Sequence, residues 1–166
     1  FAPPGTGMLY VRRDRIADLW PLMAAPEAMD DDIRKFEEIG THPAANYLAI
    51  AEALTFHEGI GPARKQARLV HLRDRWARRA VEHERVRLHT SLTPGFACGI
   101  ATVQIEGVDS KALAEHLWND RRILTVGIHH PEFEGIRVSP SVFTTLEEIG
   151  RFSEALLAVA YHGLPV

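Results

Sequence analysis

The sequence predicts a mixed α/β chain in two parts. Residues 1–60 read as the tail of a larger α/β unit, and residues 61–166 as a small α+β domain, a βαββα-like sheet covered by helices. Three observations carry this. A glycine-bracketed turn, Gly5-Thr6-Gly7, runs straight into the apolar, β-prone run Met8-Leu9-Tyr10-Val11. Two long stretches then repeat apolar residues at helical spacing, with Gly59-Ile60-Gly61 between them. After about residue 85, strand-like and helix-like segments alternate. The opening run reads as a loop feeding a buried strand, the middle of a domain rather than its start. Whatever precedes Phe1 is expected to belong to the same fold.

Taken in order, Met8 to Arg12 is expected as a short strand. Arg13 to Leu22 is expected as one or two helical turns that end near Pro21. Ala24 to Thr41 is poor in regular signals, with Asp30-Asp31-Asp32 as a solvated loop or helix start and Gly40-Thr41-His42-Pro43 as a turn. Ala44 to Glu58 is a helix on the spacing of Tyr47, Leu48, Ala51, Leu54 and Thr55. Pro62 suits the first turn of a second helix that runs to about Glu84. Its stripe is Leu69, Leu72, Trp76 and Ala80. Its opposite face mixes Arg68, Arg75, Arg78 and Arg79 with Asp74 and Glu82, which reads as a solvated face. Val86–Thr90 and Ala97–Ile105 read as strands. Asp109 or Ser110 caps a helix over Lys111–Asn119. Ile123–Ile128 and Gly135–Ser139 read as strands. Thr145 to Tyr161 is a last helix, with Thr145 and Glu148 spaced like a capping box.

Composition excludes several classes of function. The 166 residues carry 46% hydrophobic and 25% charged side chains, ordinary values for a globular protein. The net charge of −3 gives no attraction to nucleic acid or to an anionic membrane. No apolar run is long enough to span a bilayer. One cysteine, Cys98, allows neither an internal disulfide nor a cysteine-based zinc site. Among Ala97, Gly99 and Ile100 it is expected to be an inert, buried thiol, and free-cysteine usage is compatible with a cytoplasmic location.

The Gly5-Thr6-Gly7 turn alone is a weak signal, since its spacing fits neither a Walker loop nor a dinucleotide fingerprint. Its context is more informative. Gly-x-Gly-x-Leu-Tyr-Val is followed by Phe36-Glu37-Glu38-Ile39-Gly40-Thr41, then a long helix, then the alternating segment that holds Ile136-Arg137-Val138-Ser139. This order resembles the class V aminotransferase family, fold-type-I enzymes that use pyridoxal phosphate (PLP). The wording of residues 1–11 is most similar to the isopenicillin-N-epimerase-like branch. The resemblance covers the chain as the C-terminal portion of such an enzyme: the end of the large α/β domain, then the small domain.

The resemblance implies PLP as cofactor, an amino acid as substrate, and transamination, epimerisation or elimination as the reaction. It implies a homodimer, a partner N-terminal half of the same enzyme, and a small domain that closes on substrate. Gly40 and Thr41 match the family's Phe-Glu-x-Gly-Thr with one extra residue. That threonine hydrogen-bonds the cofactor phosphate of the neighbouring subunit. Arg137 matches the arginine that grips the substrate α-carboxylate. The Schiff-base lysine falls upstream of Phe1, so no catalytic residue is expected in the chain. Lys35, Lys65 and Lys111 read as ordinary solvated lysines. The rival reading is a non-catalytic binding or assembly module.

Two further motifs are set aside. His129 and His130 are adjacent, so on a strand they point to opposite faces and do not chelate together; no metal is expected. In desulfurase relatives a loop in this region carries a nucleophilic cysteine, and residues 128–135 contain none. Ser139 and Ser141 lack a Gly-x-Ser-x-Gly elbow.

Overall fold

In the computed structural model, which describes residues 1–165, the chain divides into two compact units at Ile60 and Gly61. Val166, the end of the expected second part, lies outside the described residues.

The first unit is built from turns and one helix. Thr6 donates its N–H and its hydroxyl to the Pro3 carbonyl (3.3 and 2.7 Å), which closes the opening turn. The strand expected over Met8–Arg12 does not form. Those residues are irregular, and Met8, Leu9 and Tyr10 are 75, 61 and 87% exposed. A β-prone run becomes a strand only where a neighbour takes its backbone N–H and C=O groups, and the described residues of this unit contain no strand. Short 3-10 turns follow at Arg13–Arg15, Glu27–Met29 and Ile33–Glu37. Asp32 caps the third, accepting from the Arg34 N–H. Hydrogen bonds from the Arg34 side chain and N–H hold the Asp32 carboxyl at about 2. Helix α1 spans Ala44–Ile60 and has no buried residue.

Lys35 departs from expectation. It is buried, its Nζ donates to the Asp30 carbonyl at 2.7 Å, and it lies 5.4 Å from the centre of the Phe36 ring. The charged stretch around it suggested solvation. The 3-10 turn instead folds the aliphatic stem inward.

The second unit holds a well-buried core. Its elements are α2 (Pro62–Ala80), β1 (Val86–Leu88), β2 (Ala101–Ile105), α3 (Ser110–Arg121), β3 (Val126–His130), β4 (Phe133–Val138) and α4 (Leu146–His162). Pro62 opens α2 in its first turn, after Gly61 at φ +87°. Asp109 is the cap of α3 and accepts from the Ala112 N–H at 2.8 Å. Thr145 and Glu148 form the capping box of α4, and the Thr145 N–H and hydroxyl hold the Glu148 carboxyl below the usual range.

The four strands form one antiparallel sheet in the order β1-β2-β4-β3. Period-two burial in β2 sends Ala101, Val103 and Ile105 to one face, where Ile136 and Val138 of β4 join them. Leu72 and Trp76 of α2, Leu113 and Leu117 of α3, and Phe152 and Leu156 of α4 complete the same cluster. Trp76 and Phe152 meet edge to face with ring centres 5.2 Å apart. Within this unit the other sheet face is open.

Residues 97–100, expected as part of a strand, form a loop fastened to α2. Arg73 is 1% exposed. Its Nη1 donates to the carbonyls of Ala97 (3.0 Å) and Cys98 (2.6 Å), and its Nε donates to Asp74 Oδ1 at 2.8 Å. Burial pushes the Asp74 carboxyl up. Hydrogen bonds from Arg73 and Arg78 outweigh it, so the group titrates below the usual range. Gly99 lets the loop lie on the helix, because a Cβ there would meet Leu69 Cβ at 2.6 Å. Held this way, Cys98 is exposed rather than buried. A guanidinium satisfies the loop's carbonyls, so no partner strand is needed.

Arg73→Ala leaves the Ala97 and Cys98 carbonyls without this donor and Asp74 with Arg78 alone, and is expected to cost about 3 kcal/mol in urea denaturation. Arg73→Lys is expected to recover little, since one ammonium cannot span both the carbonyls and Asp74. Ser153 is 3% exposed and its hydroxyl has no hydrogen-bond partner. Ser153→Ala is therefore expected to leave stability unchanged or to raise it by up to about 1 kcal/mol in the same assay.

Candidate functional site

The site begins with the alternation of β4. Ile136 and Val138 are buried, so Arg137 between them must face the open side of the sheet. It is exposed and makes no hydrogen bond or ion pair among the described residues. β4 is an inner strand, so Arg137 is flanked on both sides: it pairs with Thr102 of β2 and with Val126 of β3. Gly135 keeps β4 tight against β2, since a Cβ there would meet the Val103 carbonyl oxygen at 2.6 Å.

The same face continues toward the other end of β4. The Phe133 ring lies 5.5 Å from His89 and 5.1 Å from His130, centre to centre. His89 shares a 2.9 Å hydrogen bond between its Nε2 and Gln104 Oε1. His129 faces the opposite way. Its Nδ1 lies 3.3 Å from Glu134 and its Nε2 3.6 Å from Asp109. Among the described residues no three His, Cys, Asp or Glu side chains gather in a way that could hold a metal ion.

Gly40 and Thr41 belong to the first unit, Arg137 to the second. Gly40 has φ +86°, nothing lies within 4 Å of where its Cβ would be, and its carbonyl meets His42 Nδ1 at 2.9 Å. Both Gly40 and Thr41 are exposed and lie just ahead of α1. A phosphate needs an approachable N–H and hydroxyl on an uncrowded backbone, and this turn offers both. Lys35 is buried against Asp30, and Lys111 is exposed at the start of α3, 3.9 Å from Glu115.

Sequence reasoning picked out Arg137 but not its flanking residues. The alternation of Ala101–Ile105 signals that Thr102 and Gln104 share a face. Which strand lies beside β4 is a long-range property that the sequence does not display. The roles of Arg73 and Lys35 were hidden for a similar reason, since both lie in charge-rich stretches that read as solvated.

No family model matches the chain. It is 28% identical over 95% of its length to the isopenicillin N epimerase of Streptomyces clavuligerus, and 26% identical over 93% to that of Amycolatopsis lactamdurans. It spans 44% and 43% of those two relatives, less than half of either. The cysteine desulfurase of Thermococcus onnurineus NA1 superposes on 78% of the chain with a TM-score of 0.68 at 22% identity, the chain covering 34% of it. A C-DES variant with glycine covalently linked to its PLP cofactor superposes on 74% with a TM-score of 0.60 at 19% identity, the chain covering 31% of it. Among the described residues no helix is long and apolar enough to cross a membrane. In sequence the chain is related to isopenicillin N epimerases, and its fold is that of the C-terminal part of PLP-dependent, fold-type-I enzymes of class V.

Proposed function

We propose that the chain supplies the C-terminal part of a homodimeric PLP-dependent enzyme that acts on an amino acid by transamination, epimerisation or elimination. The observation that carries this reading is Arg137: an exposed, unpaired guanidinium fixed in an inner strand by two buried neighbours. Its planar fork suits a bidentate grip on a substrate α-carboxylate. Held there, the substrate has one end anchored, and the direction of that anchor selects which bond at its α-carbon is presented for cleavage. PLP, when bound, supplies the electron-withdrawing ring that makes such cleavage feasible. Gly40 would offer its N–H, and Thr41 its hydroxyl and N–H, to the cofactor phosphate of the neighbouring subunit. The lysine that carries the cofactor, and the ring's other partners, would come from the N-terminal half of the enzyme.

The test uses the polypeptide in which this chain and that lysine occur together. Arg137→Ala is expected to weaken amino-acid substrates by the equivalent of about 2–5 kcal/mol in kcat/KM while leaving the visible absorbance of bound PLP intact. Unchanged affinity for amino acids would remove the role. Thr41→Ala is expected to lower PLP affinity by about tenfold, read by equilibrium dialysis, with little effect on KM for the amino acid.

A further inference from the structure

The face of the sheet that carries Arg137 holds a second guanidinium. Val86 and Leu88 of β1 pack on the core, so Arg87 between them is turned to the open side. Its pairing agrees. Arg87 stands opposite Gln104 of β2, and Gln104 shares its side of that strand with Thr102, which stands opposite Arg137. Arg87 is exposed and makes no hydrogen bond or ion pair among the described residues. Two strand steps and two residues separate it from Arg137, about 12 Å between Cα atoms on ordinary sheet spacing. Two long side chains with a small molecule between them can bridge that distance.

The charge on this face is one-sided. The chain as a whole has a net charge of −3. Yet among the described residues the one acidic side chain within a strand is Glu134, and it is turned away, opposite His129 and within 3.3 Å of that ring's Nδ1. Neither guanidinium therefore has a strand carboxylate to neutralise it. What lies between them on β2 is uncharged: Thr102 and Gln104, both half-buried, the latter in a 2.9 Å hydrogen bond with His89. Two separate guanidiniums over a neutral floor match a molecule with an acidic group at each end, because each planar fork can take a carboxylate through two parallel N–H bonds.

We propose that the substrate is an α-amino acid whose side chain ends in a second carboxylate, laid across β2 so that Arg137 takes the α-carboxylate and Arg87 the distal one. This rests on the role given to Arg137 in the proposed enzyme. Arg87 is a specificity-determining residue: it meets the far end of the substrate and none of the reacting atoms. Thr102 and Gln104 form the floor beneath the body of the molecule.

The test uses the polypeptide in which this chain and the cofactor-bearing lysine occur together. Amino acids are offered in pairs, the ω-carboxylate and its uncharged ω-amide, in lengths from aspartate to 2-aminopimelate. At the matching length kcat/KM is expected to favour the acid by about tenfold or more. Arg87→Gln is expected to bring that ratio close to one by raising KM for the acid, with the amide unaffected, and Arg87→Lys to keep part of the preference. Arg137→Ala is expected to weaken acid and amide alike. A ratio near one in the unaltered enzyme, or a ratio that Arg87→Gln leaves as it was, would overturn the assignment of Arg87 while that of Arg137 stands. No turnover of any amino acid, or no effect of Arg137→Ala, would remove the role of Arg137 and this proposal with it.

Discussion

The arrangement rests on the period of a single strand. Ile136 and Val138 are committed to the core, and a one-residue slip of β4 would bury a guanidinium and expose both. The register is therefore fixed by burial on one face, and Arg137 is held on the other with no side-chain hydrogen bond or ion pair among the described residues. The core contributes in the same way from farther off. Trp76 on α2 and Phe152 on α4 meet behind the sheet, and the face they cover is the one that Arg137 must avoid.

What was legible in the sequence follows from how local each signal is. The helices, the capping box of Thr145 and Glu148 and the outward turn of Arg137 depend on residues within a few positions of one another, and each could be read directly. The strand ends could not. Ala97–Ile100 has β-prone neighbours, yet it is drawn into a loop by Arg73, two dozen residues earlier in the chain. The same long-range contact turned Cys98 outward. Met8–Arg12 failed for the opposite reason: the pattern is strand-like, but no described neighbour in its unit completes a ladder. Of the candidate site, the resemblance supplied Gly40, Thr41 and Arg137 as residues. The order of strands that sets Thr102 and Val126 beside Arg137 required the structure.

The two units differ in how much they hold themselves together. The second has a continuous apolar cluster drawn from all of its helices and from three of its four strands. In the first, only Ile16 and Lys35 are buried, and large apolar side chains such as Trp20 (94%) and Leu22 (88%) lie open. This accords with a chain that spans less than half of its relatives' length.

Gly135 has a consequence for how this strand can evolve. The inward positions are committed to the core, and position 135 tolerates no side chain because β2 lies directly beneath it. Substitutions that leave this packing intact are thereby confined to the outward positions on either side, Phe133 and Arg137. Exchanging either one alters what the strand presents on its outer face without disturbing the packing behind it.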